Sequence, residues 1–132
     1  MSEEFKLEIV NPEKSFFSSE NVNEVVIPAI EGEMGILRDH ISIISFLKPG
    51  VIKVFLNNDE EKFFVDDGIV EFKDNHLSIL TSSIFNLKDA DKSLIDKNLK
   101  DAEEQLQKND IDDQKRFIIE QRVETLKSII MN

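Results

Sequence analysis

Glu31-Gly32-Glu33-Met34-Gly35-Ile36-Leu37-Arg38-Asp39-His40, running on to Lys48-Pro49-Gly50-Val51-Ile52-Lys53, is the stretch from which this chain is best read. It joins two glycines, two carboxylates, a histidine and a Pro-Gly pair inside a β-rich sequence. Gly32 and Gly35 permit a tight backbone path that a side chain would block. Glu31, Glu33 and His40 put polar groups on what reads as a surface loop, where function tends to sit. Pro49-Gly50 predicts a type II turn, because proline presets one dihedral and glycine supplies the positive one.

Short strands are predicted on both sides of this stretch. Phe5-Lys6-Leu7-Glu8-Ile9 alternates apolar and charged residues, the period of a half-buried strand. Asn11-Pro12 turns the chain, Ser15 to Ser18 reads as a second strand, and Val22 to Ile27 as a third. Pro28 should end that third strand or place it at an edge. Ile41 to Leu47 is an apolar run broken by Ser42 and Ser45, short enough for a strand. Val51 to Leu56 and Lys62 to Val65 flank a polar hairpin loop, Asn57-Asn58-Asp59-Glu60. Asp67-Gly68 and Asp74-Asn75 turn the chain into Ile69–Phe72 and Leu77–Thr81. Such spacing predicts an antiparallel β-sandwich or barrel over residues 1–87.

Beyond Asn86 helix formers take over. Ile95, Leu99, Ala102 and Leu106 fall on one helical face, and Ile119, Val123, Leu126 and Ile130 repeat the spacing. Lys108-Asn109-Asp110 interrupts the pattern. The reading is an antiparallel helical hairpin over 88–132, with helices at about 90–108 and 111–131 and Asp89 as the first N-cap. The aspartates at 110, 112 and 113 suit the start of the second helix.

Composition bounds the function. The 132 residues suit one main domain with an appendage. The chain has no cysteine, so disulfides and thiolate metal sites are excluded. A net charge of −11 argues against nucleic acid and against direct contact with an anionic membrane, and favours basic protein surfaces. No apolar run approaches the ~20 residues of a membrane span. The acidic start, Met1-Ser2-Glu3-Glu4, is neither a signal nor a transit peptide in character. A cytosolic protein is expected, tied to a membrane only through another protein.

Chemistry is not evident. His40, Asp39 and Ser42 cluster in sequence, but a triad needs three groups brought together in space. A metal site needs three or four convergent ligands; Glu31, Glu33 and His40 could supply them in number, but the sequence does not bring them together, and no metal or other cofactor is expected. The phosphate-loop pattern is absent. Asp66-Asp67 and Asp112-Asp113 have structural readings, as a turn and a helix start.

The opening stretch resembles the epsilon subunit of the F-type, bacterial ATP synthase. The family pattern is roughly Glu-Gly-Glu-(Leu/Met)-Gly-Ile, a histidine a few residues on, an apolar run, then Lys-Pro-Gly. The chain carries all of these in order, as well as Asp67-Gly68-Ile69-Val70-Glu71-Phe72 and a two-helix tail. Arg38-Asp39 stands where the family often has Pro-Gly. The resemblance implies a non-catalytic subunit of the central stalk, peripheral to the inner membrane on its cytoplasmic side. It would link the gamma subunit to the c-ring and couple proton flow to ATP synthesis. Carried over by position, Glu31, Gly32, Glu33, Met34, Gly35 and His40 would contact gamma and the ring. The hairpin would restrain ATP hydrolysis through Lys115, Arg116, Arg122 and Lys127, set against acidic segments of the catalytic alpha and beta subunits. Some members bind ATP on the first helix. There Asp91 is retained but Leu94 replaces the arginine, so no tight nucleotide binding is expected. The rival readings are an acidic sandwich that binds another partner, or a small enzyme centred on His40.

Overall fold

Residues 3–131 are described in the computed structural model of the chain. Ten strands come first: β1 (Phe5–Val10), β2 (Ser15–Val22), β3 (Glu24–Ala29), β4 (Gly32–Leu37), β5 (Ile43–Leu47), β6 (Gly50–Leu56), β7 (Asp59–Val65), β8 (Gly68–Lys73), β9 (His76–Thr81) and β10 (Ile84–Asn86). Two helices follow, α1 (Lys92–Leu106) and α2 (Asp113–Met131). The strands form one curled sheet in the order β10-β7-β6-β3-β5-β8-β9-β1-β2, with β4 on the free side of β3. A single residue pair, Ala29 with Leu47, joins β3 to β5. The sheet folds there into two facing layers. Between them lies a core of inward-pointing residues that includes Leu7, Ile27, Ile52, Phe63, Phe72 and Ile79. The expected sandwich and hairpin are both present. One detail departs from an all-antiparallel sheet: β1 runs parallel to β9, Leu7 beside Leu77. The long chain between them permits this, since a parallel pair cannot be joined by a tight turn.

Several local expectations are corrected. The glycine stretch is not a loop: Gly32–Leu37 is β4, paired with β3 from Ala29↔Gly32 to Glu24↔Leu37. Its tight element is the turn before it, where Gly32 takes a φ of +140° that L side chains rarely adopt. Pro28 does not end β3. Its carbonyl accepts from the Lys48 N–H at 3.1 Å, so its missing N–H faces the same side. On that side β3 has already left β6 and has not yet met β5, and no ladder bond is lost. Gly50 has no positive φ, so Pro49-Gly50 is not the type II turn expected. Glycine is required there by proximity instead. A Cβ at 50 would stand 2.6 Å from the Cβ of Pro28. Asp74 and Asn75, with φ of 53° and 58°, form the two-residue turn expected between β8 and β9.

The helices are shorter at their facing ends than periodicity predicts. The first cap is Asp91 rather than Asp89: its Oδ1 accepts the Leu94 N–H at 2.8 Å. Asp112 serves α2 in the same way, through the Lys115 N–H. The hairpin lies against the outer face of β6, β7 and β10. Phe64 and Phe85 point out of the sandwich there, stacked at 5.0 Å, and pack with Ile95 and Leu126.

Candidate functional site

The sequence-derived candidates fall into separate places. Glu31 and Gly32 form the turn into β4, Glu33 and Gly35 lie on its outer face, and Met34 points inward against the core. His40 follows the other end of β4. Six residues at ~3.3 Å each separate the two ends by about 20 Å. Glu31 and His40 are therefore not one cluster.

The loop after β4 is firmly built. Asp39 adopts φ +67°, the left-handed region where the family's glycine would sit at ease. Two hydrogen bonds compensate: Asn75 Oδ1 accepts the Asp39 N–H at 2.7 Å, and Asn75 Nδ2 donates to Asp39 Oδ1 at 3.0 Å. Arg38 Nη1 donates to the Glu4 carbonyl at 2.8 Å. His40 sits edge-on to Phe72, with Nδ1 2.8 Å from the Ile41 carbonyl. Asp39 thus bonds to Asn75, not to the imidazole, and the loop shows no nucleophile–base–acid relay. No three His, Asp or Glu side chains converge as metal ligands among the described residues.

The four basic residues of the second helix have unequal roles in the docked hairpin. Lys115 is exposed. Lys127 lies 3.9 Å from Glu103 of α1 at the surface. Arg116 donates to the Leu106 carbonyl at 3.2 Å, satisfying the end of α1. Arg122 reaches the sandwich, where Nη2 and Nε both donate to Asp66 Oδ1, at 2.8 and 3.3 Å.

One surface escaped the sequence reading. On β5, Ile44 and Phe46 point to solvent at 72% and 59% exposure, while Ser45 points into the core. The Ser45 hydroxyl has no hydrogen-bond partner there. Ile43 and Leu47 point inward on either side of Ser45, so β5 is apolar on both faces. The pairing Phe46↔Ile69↔Leu80 extends the apolar face across β8 and β9. Two shallow clefts of about 550 and 340 Å³ cross it, edged by Asp67 and Glu8. Large exposed apolar faces mark contact surfaces. The signal available in sequence was the run Ile41–Leu47, apolar at both parities, which a strand with one wet face should not be.

The family model for the β-sandwich domain of the ATP synthase delta/epsilon chain matches residues 4–87. A curated relative, the ATP synthase epsilon chain of Pelagibacter ubique, is 62% identical over 98% of this chain and 99% of its own. This chain belongs to the ATP synthase epsilon chain family. It is accordingly a non-catalytic subunit, which removes the enzyme reading of His40. The mitochondrial ATP synthase subunit delta of Schizosaccharomyces pombe is 32% identical over 98% of this chain and 77% of that one. Among solved structures, a chain of the Euglena gracilis mitochondrial ATP synthase superposes with a TM-score of 0.76. It is 22% identical, over 99% of this chain and 82% of that one, and shows the fold alone. A chain in the Tetrahymena thermophila central stalk and c-ring structure gives 0.65 at 16% identity, over 96% of both. No described helix is long and apolar enough to cross a membrane.

Proposed function

We propose that the chain is the central-stalk subunit that ties gamma to the c-ring, and that its hairpin restrains ATP hydrolysis. Strand β5, apolar on both faces, carries this reading. A fold that spends a core position on Ser45 and exposes Ile44 and Phe46 is built to be covered. The occupant we assign to this face is gamma, through an apolar segment with basic flanks to match Glu8, Asp67 and Glu71. The turn at Glu31-Gly32-Glu33 and the loop at His40 lie too far apart for one small contact. They serve two, one to the ring and one to the stalk. Localisation follows from the assembly: peripheral to the inner membrane, on the cytoplasmic side.

For the hairpin, Lys115, Arg116, Arg122 and Lys127 supply cations toward acidic segments of the catalytic subunits. No cofactor is required, and tight ATP binding is not expected. Asp91 is occupied as an N-cap, and Leu94 offers no charge to a phosphate. Reconstitution with gamma, the ring and the catalytic subunits tests the whole reading. Phe46→Asp should abolish capture of gamma. Removing residues 89–132 should leave capture intact and raise ATPase activity. Retained capture by Phe46→Asp would refute the docking face, and unchanged ATPase would refute the inhibitory role.

A further inference from the structure

The hairpin is held to the sandwich by two kinds of contact. The apolar part seats Leu126 and Ile95 over Phe64 and Phe85, with Leu87, Leu99, Ile129 and Ile130 packed around them. The polar part is the Arg122–Asp66 pair, with side chains 21% and 13% exposed. The Thr125 hydroxyl also lies 3.3 Å from the Pro49 carbonyl, but it keeps the closer Gln121 carbonyl at 2.8 Å when the helix leaves. The Lys127–Glu103 pair stays within the hairpin and does not oppose its movement.

The Asp66 side of the pair is set by the sandwich alone. The Asp66 N–H donates to the Ser83 carbonyl at 3.0 Å. The buried Thr81 hydroxyl lies 3.1 to 3.4 Å from the carbonyls of Asp67, Ser83 and Asp66. The Asp67 N–H donates to Asp66 Oδ1 at 3.0 Å. Gly68 presses so close to β9 that a Cβ there would stand 2.2 Å from the Leu80 carbonyl oxygen. The carboxylate is thus a fixed keeper, and the guanidinium is the part that can leave. Arg122 directs Nε and Nη2 at one Asp66 oxygen, so moving to another surface gives up both bonds.

We propose that Asp66 and Arg122 form an ionic latch on the hairpin, and that release hands Arg122 from Asp66 to carboxylates of the acidic surface it then meets. The latch sets a competition between the sandwich and that surface for one cation. This inference rests on the reading of the hairpin as a movable element.

The full chain tests it, since it has no native cysteine to interfere with labelling. Spin labels at Asn58→Cys in the sandwich and Asp110→Cys between the helices report the docked and released populations by pulsed dipolar spectroscopy. Asp66→Asn should raise the ratio of released to docked chain about tenfold or more, and Arg122→Gln equally. The double variant should go no further than either single one, because both remove one interaction. Raising sodium chloride to about 1 M should release the unsubstituted chain less than Asp66→Asn does, because a largely buried pair is screened little, and should leave Asp66→Asn unmoved. If either single variant leaves the ratio unchanged, or the double variant is additive, the latch is refuted. Leu126→Asp separates the two readings, because it destroys the apolar seat. Release by Leu126→Asp with none by Asp66→Asn sinks the latch and keeps the movable hairpin; release by neither sinks the movable hairpin as well.

Discussion

Glycine in this chain does three different jobs, which its identity alone does not distinguish. Gly32 is kept for dihedral freedom, Gly50 for the ring of Pro28, and Gly68 for the carbonyl of Leu80. Gly50→Ala should therefore destabilise by ~1–3 kcal/mol through overpacking. Gly68→Ala should cost more, since the atom it strikes is backbone. Urea titration of the two variants checks the order, and equal midpoints would contradict it. Ser45 gives the opposite sign. Its hydroxyl is buried without a partner, so Ser45→Ala should be neutral or stabilising by about 1 kcal/mol. A loss of that size in the same titration would mean that the hydroxyl has a partner after all. The left-handed Asp39 was hidden in sequence, because the residue that allows it, Asn75, lies 36 positions away.

Elements differ in how much of themselves they announce. The α1 and α2 stripes are legible, since helical spacing is local and Ile95, Ala102, Ile119 and Leu126 are buried as their period requires. The sequence places the first cap two residues early because Asp89 and Asp91 are equally good cap chemistry. Only the helix start chooses between them. Asp91→Ala should cost ~1 kcal/mol. Because the hairpin is a separate layer, hydrogen exchange should speed up at the start of α1 and stay unchanged in β6 and β8. Acceleration spread evenly through the sandwich would show that the two parts unfold as one. β4 reads as a loop in sequence for a different reason. Gly32, Gly35 and Glu33 are poor strand formers, and the pairing with β3 overrides them.

At the scale of the molecule, the sandwich presents two outer faces with opposite fates. The face of β6, β7 and β10 carries Phe64 and Phe85 and is covered by the chain's own hairpin. The face of β5, β8 and β9 carries Ile44, Phe46, Ile69 and Leu80 and is exposed. Phe46→Asp should thus keep the stability of the isolated protein within about 0.5 kcal/mol while removing gamma capture, because surface changes away from special features are nearly neutral. A large fall in thermal midpoint would place Phe46 in the structural core instead. Sequence by itself determined the strand–turn rhythm, the two helical stripes, the absence of thiol chemistry and the family, because all of these are written in local spacing and composition. It did not determine which side of β5 is inside, what Gly50 and Gly68 avoid, or that Arg122 meets Asp66 from 56 residues away. Periodicity states that a strand has two sides. Which of them is buried depends on what packs against it, and that is decided when distant strands and helices close on one another.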